Sequence, residues 1–263
     1  MHTVRFIRHA CLAVLLAFSS LALAQAKKAP SAYEPESGQE GKDVVWVPTP
    51  QVLVDKMLDM AKVTPADFVM DLGSGDGRTV ITAARRGARA LGVEYNPDMV
   101  ELSRRNAEKA GVAGKAQFVK ADLFETDFSK ATVITMFLLP QINLKLRPKI
   151  LDLKPGTRIV SNSFTMDDWD ADEIATLTGD NGCNTSWCKA LLWIVPAKVA
   201  GTYKLAQGEL VLKQNFQMLS GTLATGGRTV ALDCGKVRGE DISFKSGGKE
   251  YHGRMNGKSL ELR

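Results

Sequence analysis

Hydrophobic positions along the chain fall into four successive patterns. The first is an apolar run over 10–24, preceded by Arg5 and Arg8 and ending in the small-x-small triplet Ala24-Gln25-Ala26. It is about 15 residues long, short of the roughly 20 that span a bilayer, and it has no polar positions at helical period. The pattern predicts an export signal over 1–26, cleaved after Ala26. Cys11 lies at the start of the run rather than just after it, which argues against lipid attachment. The second pattern, over 27–42, holds Pro, Gly, Ser and Glu with almost no large aliphatic residue, and it predicts a flexible linker. The third, over 43–196, alternates strand-like and helix-like runs. The fourth, over 197–263, consists of short strands punctuated by Gly, with no helical period.

Within the third region the elements follow one another closely. A short apolar strand, 68–72, runs into a Gly-rich turn and then a helix over 78–86. A strand over 90–93 leads to a helix over 97–110, with Asn96 as N-cap, Pro97 at the first helical position and Gly111 just past the end. Strands over 117–120, 133–138 and 158–161 follow, with a helix over 141–153 between the last two. This alternation predicts parallel βαβ units and a doubly wound α/β sheet covered on both faces. The last region reads as an antiparallel β meander or small barrel, with turns at Gly226-Gly227, Gly239 and Gly247-Gly248.

Composition narrows the choice of class. The 263 residues are 44% hydrophobic and 24% charged, which is ordinary for a globular protein and excludes collagen-like, disordered and polytopic membrane chains. The formal charge of +5 is far from that of a dedicated nucleic-acid binder. It is also unevenly placed: two positive charges leave with the signal, and 197–263 alone carries 11 Lys and Arg against 6 Asp and Glu. That basic segment reads as a folding or docking module, or as a surface for an anionic envelope. Cys183, Cys188 and Cys234 remain after signal removal. The first two are close enough for a local disulfide if the loop folds back. A zinc site is not expected, because a second ligand pair is missing.

The chemistry concentrates in Asp71-Leu72-Gly73-Ser74-Gly75-Asp76-Gly77-Arg78, at the end of the first strand and the start of the first helix. Glycines there permit a tight turn and close approach of a ligand to backbone N–H groups. A dinucleotide site would want a last glycine where Arg78 stands. Asp71, at the strand end, suits a cationic ligand group better than a pyrophosphate. Glu94 ends the second strand, where this fold presents an acid to a ribose, and Asp122 follows the third.

These residues resemble the class I S-adenosylmethionine-dependent methyltransferases, over about 47–169. The resemblance implies a Rossmann-like methyltransferase sheet with S-adenosyl-L-methionine as cofactor. Asp71, Gly73, Gly75 and Gly77 would lie around its methionine part, with Glu94 at the ribose hydroxyls, Asp122 at the adenine amino group, and Ser74 and Asn96 as further cofactor-binding residues. Trp46-Val47-Pro48-Thr49-Pro50, Phe137-Leu138-Leu139-Pro140 and Leu153-Lys154-Pro155-Gly156 are further similar to a branch of small protein-lysine methyltransferases that includes mitochondrial enzymes acting on inner-membrane proteins. That implies a protein lysine as methyl acceptor. From their positions, Trp46, Phe137, Pro140 and Trp169 are the candidate substrate contacts.

Other readings stand beside these. Trp46 and Trp169 also suit a core or a lid. The acidic run Asp167, Asp168, Asp170, Asp172 and Glu173 reads as a solvated loop and helix start more readily than as a lysine-attracting patch. No Asn-Pro-Pro-aromatic motif follows the fourth strand, so nucleic acid is disfavoured as substrate. No catalytic base stands out. An exported protein would meet little of a cofactor made in the cytosol, so the alternatives are a binding domain without turnover, a methyltransferase on a small molecule, or a chain that works in the cytoplasm because its signal is inefficient.

Overall fold

The computed structural model describes residues 33–262 except Gln207 and Lys258, and these form one compact unit. The expected export signal and the first part of the expected linker lie outside the described residues.

The first sheet has the order β3-β2-β1-β4-β5-β7-β6. Its centre is β1 (Phe68–Leu72), paired in parallel with β2 (Arg89–Glu94) and β4 (Val133–Met136). β3 (Ala116–Lys120) and β5 (Arg158–Asn162) extend it in parallel on either side. Side chains on a strand alternate between faces, and here both faces are dry. Val69, Val133 and Val160 enter a core with α1 (Gln51–Met60), α2 (Arg78–Arg85) and α3 (Pro97–Lys109). Met70, Leu72, Ile134, Met136 and Ile159 enter the opposite core with α4 (Pro140–Leu151). The doubly wound expectation is met.

Two features were not expected from the sequence. Helix α1 buries Leu53, Val54, Met57 and Leu58 in a stripe at helical spacing and packs on β5 and β7. The far edge, β6 (Glu173–Thr176) and β7 (Lys189–Ile194), is antiparallel. The expected helix start in the acidic run is therefore corrected to an edge strand. Asp172 is not solvated either: its carboxylate is fully buried, accepts the Ile194 N–H at 2.8 Å and pairs with Lys236 at 2.9 Å.

The second sheet is a seven-stranded antiparallel meander, β8 (Gly201–Leu205), β9 (Gly208–Asn215), β10 (Met218–Thr225), β11 (Arg228–Arg238), β12 (Asp241–Ser246), β13 (Lys249–Asn256) and β14 (Ser259–Leu262). Gly226-Gly227 and Gly247-Gly248 each form a two-residue hairpin loop with both φ angles positive, the geometry that matches strand twist and favours glycine. Its core of Leu210, Leu212, Leu223, Val237 and Phe244 is separate from those of the first sheet. The joint is made by a few large contacts. Phe216, in the β9–β10 turn, stacks on Trp169 at 5.9 Å, and Trp193 packs against Trp169 at 6.2 Å while its indole N–H donates to the Trp169 carbonyl. Gln217 donates to the Asp170 carbonyl, and Arg238 pairs with Glu173.

Candidate active site

In a parallel sheet the crevice for ligands opens where strand order reverses, at the carboxyl ends of the strands. Here the reversal lies between β1 and β4, and a cavity of about 220 Å³ opens at that edge. A single water needs only roughly 15 Å³, so the space suits an organic ligand.

The glycine loop forms one wall. Gly73 and Gly75 have φ of 79° and 53°, which frees the loop to double back after β1. The Gly73 and Ser74 N–H groups donate to the Val93 carbonyl, pinning the turn to β2. Glu94 is held by two backbone donors, Gly75 N–H and Asn96 N–H, each at 2.9 Å. Glu94 also lines the cavity, while Asn96 caps α3 by accepting the Asp98 N–H. Asp71 is buried and accepts the Thr135 hydroxyl at 2.6 Å. Burial pushes its carboxyl up to about 7, against the Thr135 hydrogen bond, with Glu94 and Asp76 adding like charge.

The residues expected from sequence divide cleanly. Asp71, Gly73, Ser74, Gly75, Glu94, Asn96, Asp122, Trp46 and Phe137 all line the cavity. Gly77 does not: a Cβ there would meet the Phe118 ring at 2.7 Å and Ser103 Cβ at 3.0 Å, so this glycine serves helix packing. Pro140 is exposed at the first position of α4, away from the lining. Trp169 is fully buried at the joint between the sheets, so it is no substrate contact. The expected linker needs the same correction. Residues 39–46 cover the cavity, tied by Gly38 N–H to the Trp46 carbonyl and Trp46 N–H to the Gln39 carbonyl. Lys42 pairs with Asp122 and lies 4.8 Å over the Tyr95 ring, holding the Asp122 carboxyl below its usual range.

Lys42, Tyr95, Phe164 and Trp187 also line the cavity and were not expected from the sequence. Trp187 carries a signal, since it sits inside the Cys183–Cys188 pair. Those cysteines do form a disulfide, and Cys234 is free and exposed.

Comparison with known proteins fixes the family. Residues 71–173 match the ANTKMT methyltransferase domain. A protein-lysine N-methyltransferase of Saccharolobus islandicus is 47% identical over 141 residues, 52% of this chain and 88% of that protein. The chain belongs to the class I S-adenosylmethionine-dependent methyltransferases. The adenine nucleotide translocase lysine N-methyltransferase of Mus musculus is 35% identical over 118 residues, 44% of this methyltransferase and 51% of the relative. The chain thus spans about half the length of that protein. An RNA methyltransferase of Salinibacter ruber, solved with S-adenosyl-L-homocysteine, is 46% identical with a TM-score of 0.54, covering 58% of this methyltransferase and 96% of that chain. The family match ends at residue 173, before the C-terminal meander begins.

The cavity fits the family's cofactor. A Cβ on Gly75 would lie 2.5 Å from Trp46 Nε1, so the close-set wall tolerates only glycine there. The Ser74 hydroxyl is buried with no hydrogen-bond partner among the described residues. Asp71 offers a desolvated carboxylate suited to a cationic amine, and Glu94 a fixed acceptor pair suited to ribose hydroxyls.

Proposed function

We propose that this methyltransferase transfers the methyl group of S-adenosyl-L-methionine to a lysine side chain of a protein. The observation that carries the choice of acceptor is the charge around the cavity. Six carboxylates line it, Glu40, Asp43, Asp71, Asp76, Glu94 and Asp122, against two cations, Lys42 and Arg78. Both cations are spent: Lys42 pairs with Asp122, and Arg78 with Asp76 at 2.6 Å. A polyanionic RNA would need free Lys and Arg at this edge, whereas a lysine is drawn to acid. The protein-lysine names among the relatives support the same reading.

The cofactor supplies an activated methyl group on a sulfonium. The protein's part is to place a neutral amine in line with it and keep water out. Asp71 would hold the amine of the methionine part and Glu94 the ribose, with Asp122 beside the adenine and still paired with Lys42. The acceptor lysine must lose a proton, since its reference pKa is about 10.4, and an apolar mouth built from Phe137 and Leu139 disfavours the charged form. Export to an oxidising compartment is part of the proposal, supported by the leader-like 1–26 and by the Cys183–Cys188 disulfide.

The test is incubation of the purified chain with methyl-labelled cofactor and either envelope protein or total RNA. Label removed by protease and recovered as methyl-lysine is expected. Label removed by nuclease would overturn the assignment.

A further inference from the structure

The cavity has an aromatic side that the cofactor reading does not use. Phe137 follows β4, Phe164 follows β5 and Trp187 precedes β7, so three separate segments bring their rings to one edge of the sheet. Ring centroids lie 5.9 Å (Phe137–Phe164), 5.8 Å (Phe137–Trp187) and 5.4 Å (Phe164–Trp187) apart. At those distances the rings touch one another, so they make a continuous wall rather than an open cage.

The wall is held in place by devices outside the cofactor pocket. Ser163, next to Phe164, has a φ of 61°, a conformation uncommon for a residue with a Cβ. Its N–H donates to the Lys189 carbonyl at 2.7 Å, and its hydroxyl to Asn162 Oδ1 at 2.8 Å. Lys189 directly follows Cys188. The connection from β6 to β7 contains only a three-residue 3₁₀ turn, and its residues 184–186 are exposed, whereas Cys183 and Cys188 are buried. A tryptophan on such a loop would lose much conformational freedom on being fixed. The bridge closes the six residues around Trp187 and removes that freedom in advance.

Building on the lysine reading, we infer that Phe137, Phe164 and Trp187 form the acceptor wall along which the substrate lysine lies, and that the Cys183–Cys188 disulfide positions Trp187 in it. The aliphatic stem packs on the rings. The wall acts on binding of that stem rather than on the transfer step. Trp187 is thus a residue for acceptor affinity, and the bridge acts only through it.

The test is steady-state methylation of a protein acceptor by the full chain, with cofactor affinity measured in parallel by titration. Trp187→Ala should raise the acceptor KM about tenfold, leave kcat within about twofold, and leave cofactor affinity unchanged. Trp187→Phe should restore most of the loss. Cys183→Ser with Cys188→Ser should raise KM in the same direction, and adding both to Trp187→Ala should change nothing further. Unchanged cofactor affinity shows that each variant is folded. Wild-type KM in Trp187→Ala would overturn the wall while leaving the lysine reading intact. A further KM rise from the serine pair in the Trp187→Ala background would overturn the positioning role of the bridge. Wild-type label on RNA alone would overturn the lysine reading and this inference with it.

Discussion

The molecule contains two seven-stranded sheets, and the crevice lined by the glycine loop belongs to the first, whereas a hollow of about 210 Å³ on the second is lined by Asp241, Ile242, His252, Gly253 and Arg254 without any such loop. In the first sheet β1, β2, β3, β4 and β5 run in parallel, so their carboxyl ends, with Asp71, Glu94 and Phe137, meet on one edge. In the second every neighbour is antiparallel, and the ends alternate between edges joined by tight loops, Gly226-Gly227 and Gly247-Gly248 among them. Parallel winding concentrates chemistry, whereas a meander spreads it. The second sheet instead offers a small core and a joint, with Trp169 and Phe216 as its centre.

The largest effect should come from breaking that joint. Trp169→Ala removes a fully buried ring from between Trp193 and Phe216 and should cost about 3–5 kcal/mol in denaturant unfolding. A loss near zero would mean that the two sheets are held together elsewhere. On the crevice side, Glu94→Gln keeps the shape but weakens an acceptor fixed by Gly75 and Asn96. Cofactor affinity should fall about tenfold, or roughly 1.4 kcal/mol, with thermal stability little changed. Equal affinity would move the ribose away from Glu94.

A change of similar size at the joint sharpens the contrast further. Lys236→Met leaves the buried Asp172 carboxylate without its partner. Because Lys236 is itself partly exposed, the expected cost is about 1–2 kcal/mol, with cofactor affinity unchanged in a titration. Weaker cofactor binding in this variant would show that the joint and the crevice are coupled.

The parallel centre is legible in the sequence because local signals agree: an apolar five-residue run, glycines after it, and an Asn-Pro helix start that becomes the Asn96 cap of α3. Helix α1 has a comparable signal in its Leu53, Val54, Met57, Leu58 spacing behind Pro50, although it was not expected. Other features depend on contacts distant in sequence. Gly77 looks like a cofactor glycine until Phe118 is seen against it, and Trp169 looks like a substrate contact until Phe216 is. Residues 39–46 have a linker's composition, yet Lys42 finds Asp122 and Trp46 finds Gly75. Spacing alone leaves the Cys183–Cys188 pairing open, and the fold decides it.

The central claim is that the end of β1 reads a cationic cofactor through Asp71, and titration calorimetry with S-adenosyl-L-methionine at two pH values tests it directly. The Asp71 carboxyl titrates near 7 in the free protein, and a cationic ligand prefers it ionised. Affinity should therefore be full at pH 8 and fall as pH drops through 7, approaching tenfold per unit below it. Asp71→Asn should bind at least about tenfold more weakly at pH 8 and lose that pH dependence. Wild-type affinity in Asp71→Asn, with the pH dependence retained, would contradict the account.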